Sequence, residues 1–147
     1  MKRLISDLII IIAFICALSF ASCNTSTSGE PWKETQLLEP AVLAATINDS
    51  ATTKPVILCI GPGAAIKGSI EIGPAGEAEH LEQLKTYLNT LPKDTPVVVY
   101  CGCCPFANCP NIRPAFKLLK EKQFTQTKLL NLEHNLRTDW IDKGYPR

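Results

Sequence analysis

The chain has 147 residues, with 15 basic and 14 acidic side chains and a formal net charge of +1. This length corresponds to a single domain. The numbers of basic and acidic side chains are nearly equal, and the sequence has no stripe of basic residues. Both features argue against a nucleic-acid partner. Seven cysteines in so short a chain make thiol chemistry the first function to consider.

The first residues have the layout of a secretory signal. Lys2 and Arg3 form a short basic start, and Leu8–Phe20 is a predominantly apolar run. Small residues follow at Ala21 and Ser22, as they do before a cleavage site. Because the run is short for a membrane span, we predict a signal peptide over residues 1–22 rather than a transmembrane helix.

The segment Phe20–Cys23 resembles the lipobox of bacterial lipoproteins. It departs from that pattern at Phe20, where a smaller aliphatic residue is usual, and Asp7 interrupts the basic start. The resemblance implies that Cys23 receives diacylglycerol and anchors the protein to a bacterial membrane, facing the periplasm. By the same analogy, Asn24 favours the outer membrane. Cleavage without lipidation and an uncleaved anchor are the alternatives.

A polar segment separates this signal from the rest of the chain. Asn24–Glu30 is rich in Ser, Thr and Gly, which is typical of a flexible linker. We therefore predict a lipid-anchored tether over residues 23–33 and a folded domain over residues 34–147. Without residues 1–22 the chain loses two basic side chains and one acidic side chain, which leaves no net charge.

The first half of the domain alternates between helix and strand patterns. Apolar residues at helical spacing predict a helix over Pro40–Ile47, with the proline in its first turn. Val56–Ile60 is a short apolar run ended by Gly-Pro-Gly, which is typical of a buried strand. A short strand is expected around Ile70, and Glu77–Leu91 has the pattern of an amphipathic helix.

The second half continues the alternation. Val97–Tyr100 is apolar on both faces, as in the centre of a parallel sheet that helices cover on both sides. We predict a helix over Ile112–Lys122, a strand over Lys128–Leu132 and a closing helix over Leu136–Lys143. The sequence therefore predicts a small α/β domain with a mostly parallel sheet and helices on both faces.

Four cysteines follow the predicted central strand within nine residues: Cys101, Cys103, Cys104 and Cys109. Cys101 comes at the carboxyl end of that strand, where ligands bind in open α/β sheets. The N-terminus of the next helix can stabilise a thiolate there, so we predict that Cys101 is a nucleophile. Asn111 is the expected N-cap of this helix, and Arg113 in its first turn is expected to bind an anionic substrate.

Cys103, Cys104 and Cys109 have three interpretations. They could act as resolving thiols in a redox cycle, pin the loop as a structural disulfide, or bind a soft metal ion. The spacing C-x-C-C-x₄-C lacks the paired C-x-x-C units of common zinc sites, and no nearby His completes a set. We therefore favour a disulfide and assign neither a metal nor a cofactor. Cys59 is expected to pack as a small buried residue.

Several segments resemble the rhodanese-like domain. Val97–Cys101, followed by a loop and a helix that ends near Phe124, resembles the active-site segment of that family. Three further landmarks occur in the family's order: Glu39–Leu43 resembles its opening helix, Lys67–Ile70 its Gly-His-Ile element, and Trp140 with Gly144–Pro146 its closing Trp…Gly-Tyr-Pro motif. The likeness covers nearly the whole predicted domain, from Leu37 to Pro146.

This resemblance implies a sulfurtransferase. Cys101 would attack the outer sulfur of thiosulfate or a similar small anionic donor and become a persulfide. A thiol or a cyanide-type acceptor would then remove the sulfur. The resemblance and the predicted helix start together give the expected substrate-binding residues: Gly102, Cys103, Cys104, Asn111 and Arg113.

The likeness is incomplete around the site. The loop is longer than the family's and has three cysteines of its own. Cys59 and Gly61 stand where Asp and Arg are usual, and Ser69 replaces His. Two alternatives therefore stay open: a thiol–disulfide redox or metal-handling protein that uses the four cysteines, and a non-catalytic rhodanese-like binding module.

Overall fold

The computed structural model describes residues 29–147. The predicted signal peptide, residues 1–22, and the predicted lipidation site at Cys23 lie outside these residues. Within the described part of the chain, no helix is long and apolar enough to cross a membrane.

The domain is built on one five-stranded sheet in which every strand pair is parallel. Its strands are β1 (Leu37–Leu38), β2 (Val56–Cys59), β3 (Ser69–Glu71), β4 (Val97–Tyr100) and β5 (Thr127–Leu130). Their order across the sheet is β1-β5-β4-β2-β3. The predicted α/β class with a parallel sheet is therefore confirmed.

Helices cover both faces of this sheet. The α-helices are α1 (Pro40–Asn48), α2 (Ala78–Leu88) and α3 (Ile112–Glu121). Short 3-10 turns occur at Glu34–Gln36 and Phe106–Asn108, and one π-helical turn occurs at Arg137–Ile141. Buried residues of α2 and α3 share one core, while those of α1 and the π turn share the other.

Strand β4 lies at the centre because its side chains are apolar in both directions. All four of its residues are buried. Val97 and Val99 enter the core under α2 and α3, whereas Val98 and Tyr100 enter the core under α1. This alternation assigns the next residue, Cys101, to the face that α3 covers.

Several predicted boundaries differ from the structure, and the helix predicted over Glu77–Leu91 ends at Leu88. The last strand ends at Leu130 instead of Leu132, and the predicted helix over Leu136–Lys143 is a single π turn. The chain reverses after this turn at Gly144, which has a left-handed φ of 70°. The reversal lets the Trp140 ring nitrogen donate a hydrogen bond to the Pro146 carbonyl at 2.9 Å. The chain end therefore folds over the core instead of continuing the helix.

The end of the predicted tether is docked on the domain. Trp32 packs against the rings of Phe106 and Phe116, with centroids 6.2 and 5.7 Å away. Glu30 forms an ion pair with Arg113. Within the predicted tether over residues 23–33, Glu30 and Trp32 therefore contact the domain, because Trp32 supplies an apolar contact that the polar stretch before it lacks.

Candidate functional site

The site is formed where β2 and β4 end side by side. Cys59 and Tyr100 are register partners, and Gly61, two residues after Cys59, lies against Cys101, the residue after Tyr100. A Cβ on Gly61 would lie only 2.4 Å from the Cys101 sulfur. The absence of a side chain at residue 61 is therefore what lets the thiol pack against the β2 end. Sequence reasoning used this glycine as a strand terminator and as a departure from a family pattern, and missed its contact with Cys101.

The loop after Cys101 is tied to the segment that follows β5. The Phe106 N–H donates to the Leu132 carbonyl, and the Leu136 N–H donates to the Gly102 carbonyl, both at 3.0 Å. The 3-10 turn that begins at Phe106 then folds the chain back. As a result Cys109 returns to the sheet edge beside Cys101 and is fully buried.

This fold brings together all four loop cysteines that the sequence singled out. Their sulfur atoms lie within 4.8 Å of one another. Cys101 Sγ is 3.3 Å from Cys103 Sγ, which in turn is 3.4 Å from Cys104 Sγ. All five cysteines in residues 29–147 are free thiols, so the predicted structural disulfide is not formed here. A redox disulfide stays a prediction.

Asn111 joins the cluster to the rest of the site. Its side-chain nitrogen donates to Cys101 Sγ at 3.4 Å, and its side-chain oxygen accepts from the Gly76 N–H at 2.9 Å. The residue is only 6% exposed. The expected N-cap hydrogen bond is absent because the backbone of Asn111 is helical (φ −84°, ψ −28°) instead of extended. Asn111 thus holds the thiol instead of capping α3.

Hydrogen bonds concentrate the negative charge of the cluster on Cys101. The Cys109 thiol donates to the Cys101 sulfur, as do the Asn111 amide and the Cys103 N–H, and together they lower the pKa of Cys101 to about 5 despite its burial. Partial desolvation of its sulfur and hydrogen bonds to the Cys101 and Cys104 sulfurs raise the pKa of the exposed Cys103 thiol to about 12. The hydrogen bond to Cys101 also raises the pKa of Cys109. At neutral pH the thiolate therefore resides on Cys101.

Two predicted substrate-binding residues make other contacts. The Arg113 guanidinium donates to Glu30 and to the Ala107 carbonyl at 2.8 Å, and it lies 5.5 Å from the centre of the Trp32 ring. An anion at Cys101 could use Arg113 only if these contacts broke. Gly102 has a packing role, since a Cβ there would approach Leu136 to 2.9 Å.

Cys59 lies apart from the cluster. It is fully buried in the core under α1, beside Tyr100, whereas Cys101 belongs to the core under α3. Burial raises the pKa of the Cys59 thiol. The prediction that Cys59 packs as a small buried residue is confirmed.

The arrangement gives two chemical possibilities. A thiolate surrounded by N–H donors can act as a nucleophile, and four convergent sulfurs can bind a soft metal ion. No family model matches the chain, and no curated protein matches it. A functional assignment therefore rests on the geometry of the cysteine loop.

Proposed function

We propose that this protein is a rhodanese-like sulfurtransferase that carries a sulfane sulfur on Cys101. The observation that carries the proposal is the placement of this thiol. It stands at the carboxyl end of the central parallel strand, accepts a hydrogen bond from the Asn111 amide at 3.4 Å, and lies 3.3 Å from the Cys103 thiol. Such donors stabilise a thiolate and, after sulfur transfer, the terminal sulfur of a persulfide.

The first step is nucleophilic attack on a donor such as thiosulfate. The Cys101 thiolate forms a bond to the outer sulfur, the S–S bond of thiosulfate breaks, and sulfite leaves with its electron pair. Charge is conserved, because a thiolate and a dianion become a persulfide anion and a dianion. No proton has to move during this step when Cys101 is already ionised.

The second step regenerates the thiolate. A thiophilic acceptor, cyanide or a thiolate, attacks the outer persulfide sulfur. The bond between the two sulfurs breaks, and its electron pair returns to Cys101. Thiocyanate or a new persulfide leaves, so that transfer follows a ping-pong scheme with a covalent intermediate.

Burial limits which donors can react. Cys101 is only 1% exposed, while Cys103 is exposed and Cys104 partly exposed. The two outer cysteines are the solvent-facing part of the cluster, and a donor reaches Cys101 only when they move aside. This favours a small donor over a bulky one.

The test is sulfur transfer from thiosulfate to cyanide by the reduced, metal-free full chain, followed as coloured ferric thiocyanate. Wild-type protein should show turnover with the parallel double-reciprocal lines of a ping-pong enzyme. Cys101→Ser should show none, while Cys59→Ala, which changes a cysteine outside the cluster, should retain it. Equal turnover in wild type and Cys101→Ser would contradict the proposal.

A second candidate is thiol–disulfide exchange, which the 3.3 Å separation of the Cys101 and Cys103 sulfurs favours. Cys101 would attack an external disulfide and release one thiolate, and Cys103 would then attack the mixed disulfide and release the other. Equilibration in glutathione buffers, followed by intact mass, distinguishes this candidate. It predicts the loss of two hydrogens from wild type and a trapped glutathione adduct in Cys103→Ser.

A further inference from the structure

We propose that the four-cysteine loop binds a single thiophilic metal ion, with zinc as the ion that its geometry fits. The ligands would be the four sulfur atoms that the fold brings together: Cys101, Cys103, Cys104 and Cys109. This inference is independent of the proposed sulfur transfer, and it reverses the preference for a disulfide that the sequence spacing suggested.

The distances among the sulfurs are close to those of a tetrahedral site. Zinc–sulfur bonds of about 2.3 Å place tetrahedral ligands about 3.8 Å apart. The sulfurs of Cys101 and Cys103 are 3.3 Å apart, and those of Cys103 and Cys104 are 3.4 Å apart. All four lie within 4.8 Å of one another. Shifts of no more than about 1 Å would bring them to the separations of a zinc site.

The Asn111 side chain supplies a second, independent observation. Its amide nitrogen donates to Cys101 Sγ at 3.4 Å, and its oxygen accepts from the Gly76 N–H at 2.9 Å. Hydrogen bonds of this kind offset the charge of metal-bound thiolates and fix their orientation. Cys101, one of the two buried ligands, would therefore be held in place before an ion arrives.

The spacing of the four cysteines does not indicate a metal site in the sequence. Common zinc sites pair their ligands in C-x-x-C units, which this loop lacks. Here the 3-10 turn Phe106–Asn108 takes the place of the second unit, because it folds the chain back and returns Cys109 to the other three sulfurs. The match is thus visible only in three dimensions.

Metal binding and sulfur transfer exclude each other at Cys101. The same sulfur would be either a metal ligand or the carrier of the persulfide. A bound ion would therefore protect the loop from oxidation and hold the site inactive until a stronger chelator removes it.

The experiment measures metal on the full chain, purified in detergent and reduced without oxygen. Zinc is titrated against a chromophoric chelator, and Co²⁺ serves as the spectroscopic probe. We expect one zinc per chain, and a cobalt complex with intense sulfur-to-metal absorption in the near ultraviolet and tetrahedral bands in the red. Zinc should compete the cobalt off, and Asn111→Leu should weaken zinc binding by about 10–100-fold.

Single-cysteine variants identify the ligands. Cys103→Ser and Cys109→Ser should weaken binding and lower the sulfur-to-cobalt absorption, while Cys59→Ala should leave both unchanged. Circular dichroism checks the folding of each variant. If Cys109→Ser fails to fold, the test rests on metal binding by Cys103→Ser, because this change alters an exposed side chain.

Three results would overturn the inference: no saturable binding, binding that survives both loop variants, or an iron–sulfur chromophore in place of a single ion. No sulfur donor is present in this experiment, and the transfer assay uses metal-free protein. The two proposals are therefore tested separately, and failure of one does not decide the other.

Discussion

Replacement of Gly61 by Ala tests whether the close approach of β2 and Cys101 shapes the site. The added Cβ would lie 2.4 Å from Cys101 Sγ and 3.4 Å from its Cα and Cβ, whereas nonbonded heavy atoms settle at about 3.5–4.0 Å. The sulfur or the end of β2 must therefore move by more than about 1 Å. Cys101 is buried and hydrogen-bonded to Asn111, so this movement disrupts the contacts that hold the thiolate.

The expected magnitude combines two opposing effects. Overpacking of a buried site costs about 1–3 kcal/mol. Alanine also stiffens the unfolded chain, which offsets about 0.4–1 kcal/mol. We expect a net loss of about 1–2 kcal/mol in the free energy of unfolding. Loss of a hydrogen bond to the thiolate, worth about 1.5 kcal/mol, should raise the pKa of Cys101 by about one unit.

Two assays on the metal-free protein check this prediction: urea unfolding and the ultraviolet absorbance of the thiolate as a function of pH. The matched control is Gly63→Ala, because Gly63 has a φ of +75° and open space around its Cβ position. That change should destabilise the protein by about 1–2 kcal/mol through backbone strain and leave the Cys101 titration midpoint in place. An unchanged midpoint in Gly61→Ala, or an equal shift in Gly63→Ala, would refute the reasoning.

Three further predictions concern other contacts. Asn111→Leu leaves the Gly76 N–H without its acceptor, so urea unfolding should show a loss of about 1–3 kcal/mol. Burial opposes ionisation of Asp139, but hydrogen bonds from His134 and Asn135 outweigh it and lower the carboxyl pKa. Folded Asp139 thus contributes stability above the unfolded pKa of 3.8, which is lost as pH falls below it. The free energy of unfolding should therefore fall less steeply with decreasing pH in Asp139→Asn than in wild type. Identical pH profiles for the two proteins would contradict this prediction. Finally, zinc saturation should block persulfide formation on Cys101 and a chelator should restore it, whereas persulfide formation on zinc-loaded protein would contradict the shared use of this sulfur.

Local pattern was sufficient to predict most of the fold. Val97–Tyr100 is apolar in both directions, and only a strand covered on both faces accommodates such a run. Pro40 begins α1 as expected, since proline fits the first helical turn. The closing segment was harder, because the outcome at Leu136–Lys143 depends on the contact of Trp140 with the end of the chain. That contact becomes visible only once the core has formed.

The candidate site was predictable in its residue types but not in its contacts. The position of Cys101 followed from the rule that ligands bind at the carboxyl ends of parallel strands. The partner of Asn111, Gly76, lies 35 residues away in sequence, and no local signal joins the two. In the same way, the spacing of the cysteines argued against a zinc site, whereas the 3-10 turn brings the four sulfurs together. The contacts within the site therefore depend on long-range geometry, which the periodicity of the sequence does not encode.

The most direct test of sulfur transfer is the intact mass of the reduced, metal-free full chain after treatment with thiosulfate, beside Cys101→Ser treated in the same way. The proposal predicts that wild type gains one sulfur atom, about 32 Da, as a persulfide that cyanide then removes. Cys101→Ser should gain nothing. An unchanged wild-type mass, or an equal gain in both proteins, would contradict the assignment of Cys101 as the sulfur carrier.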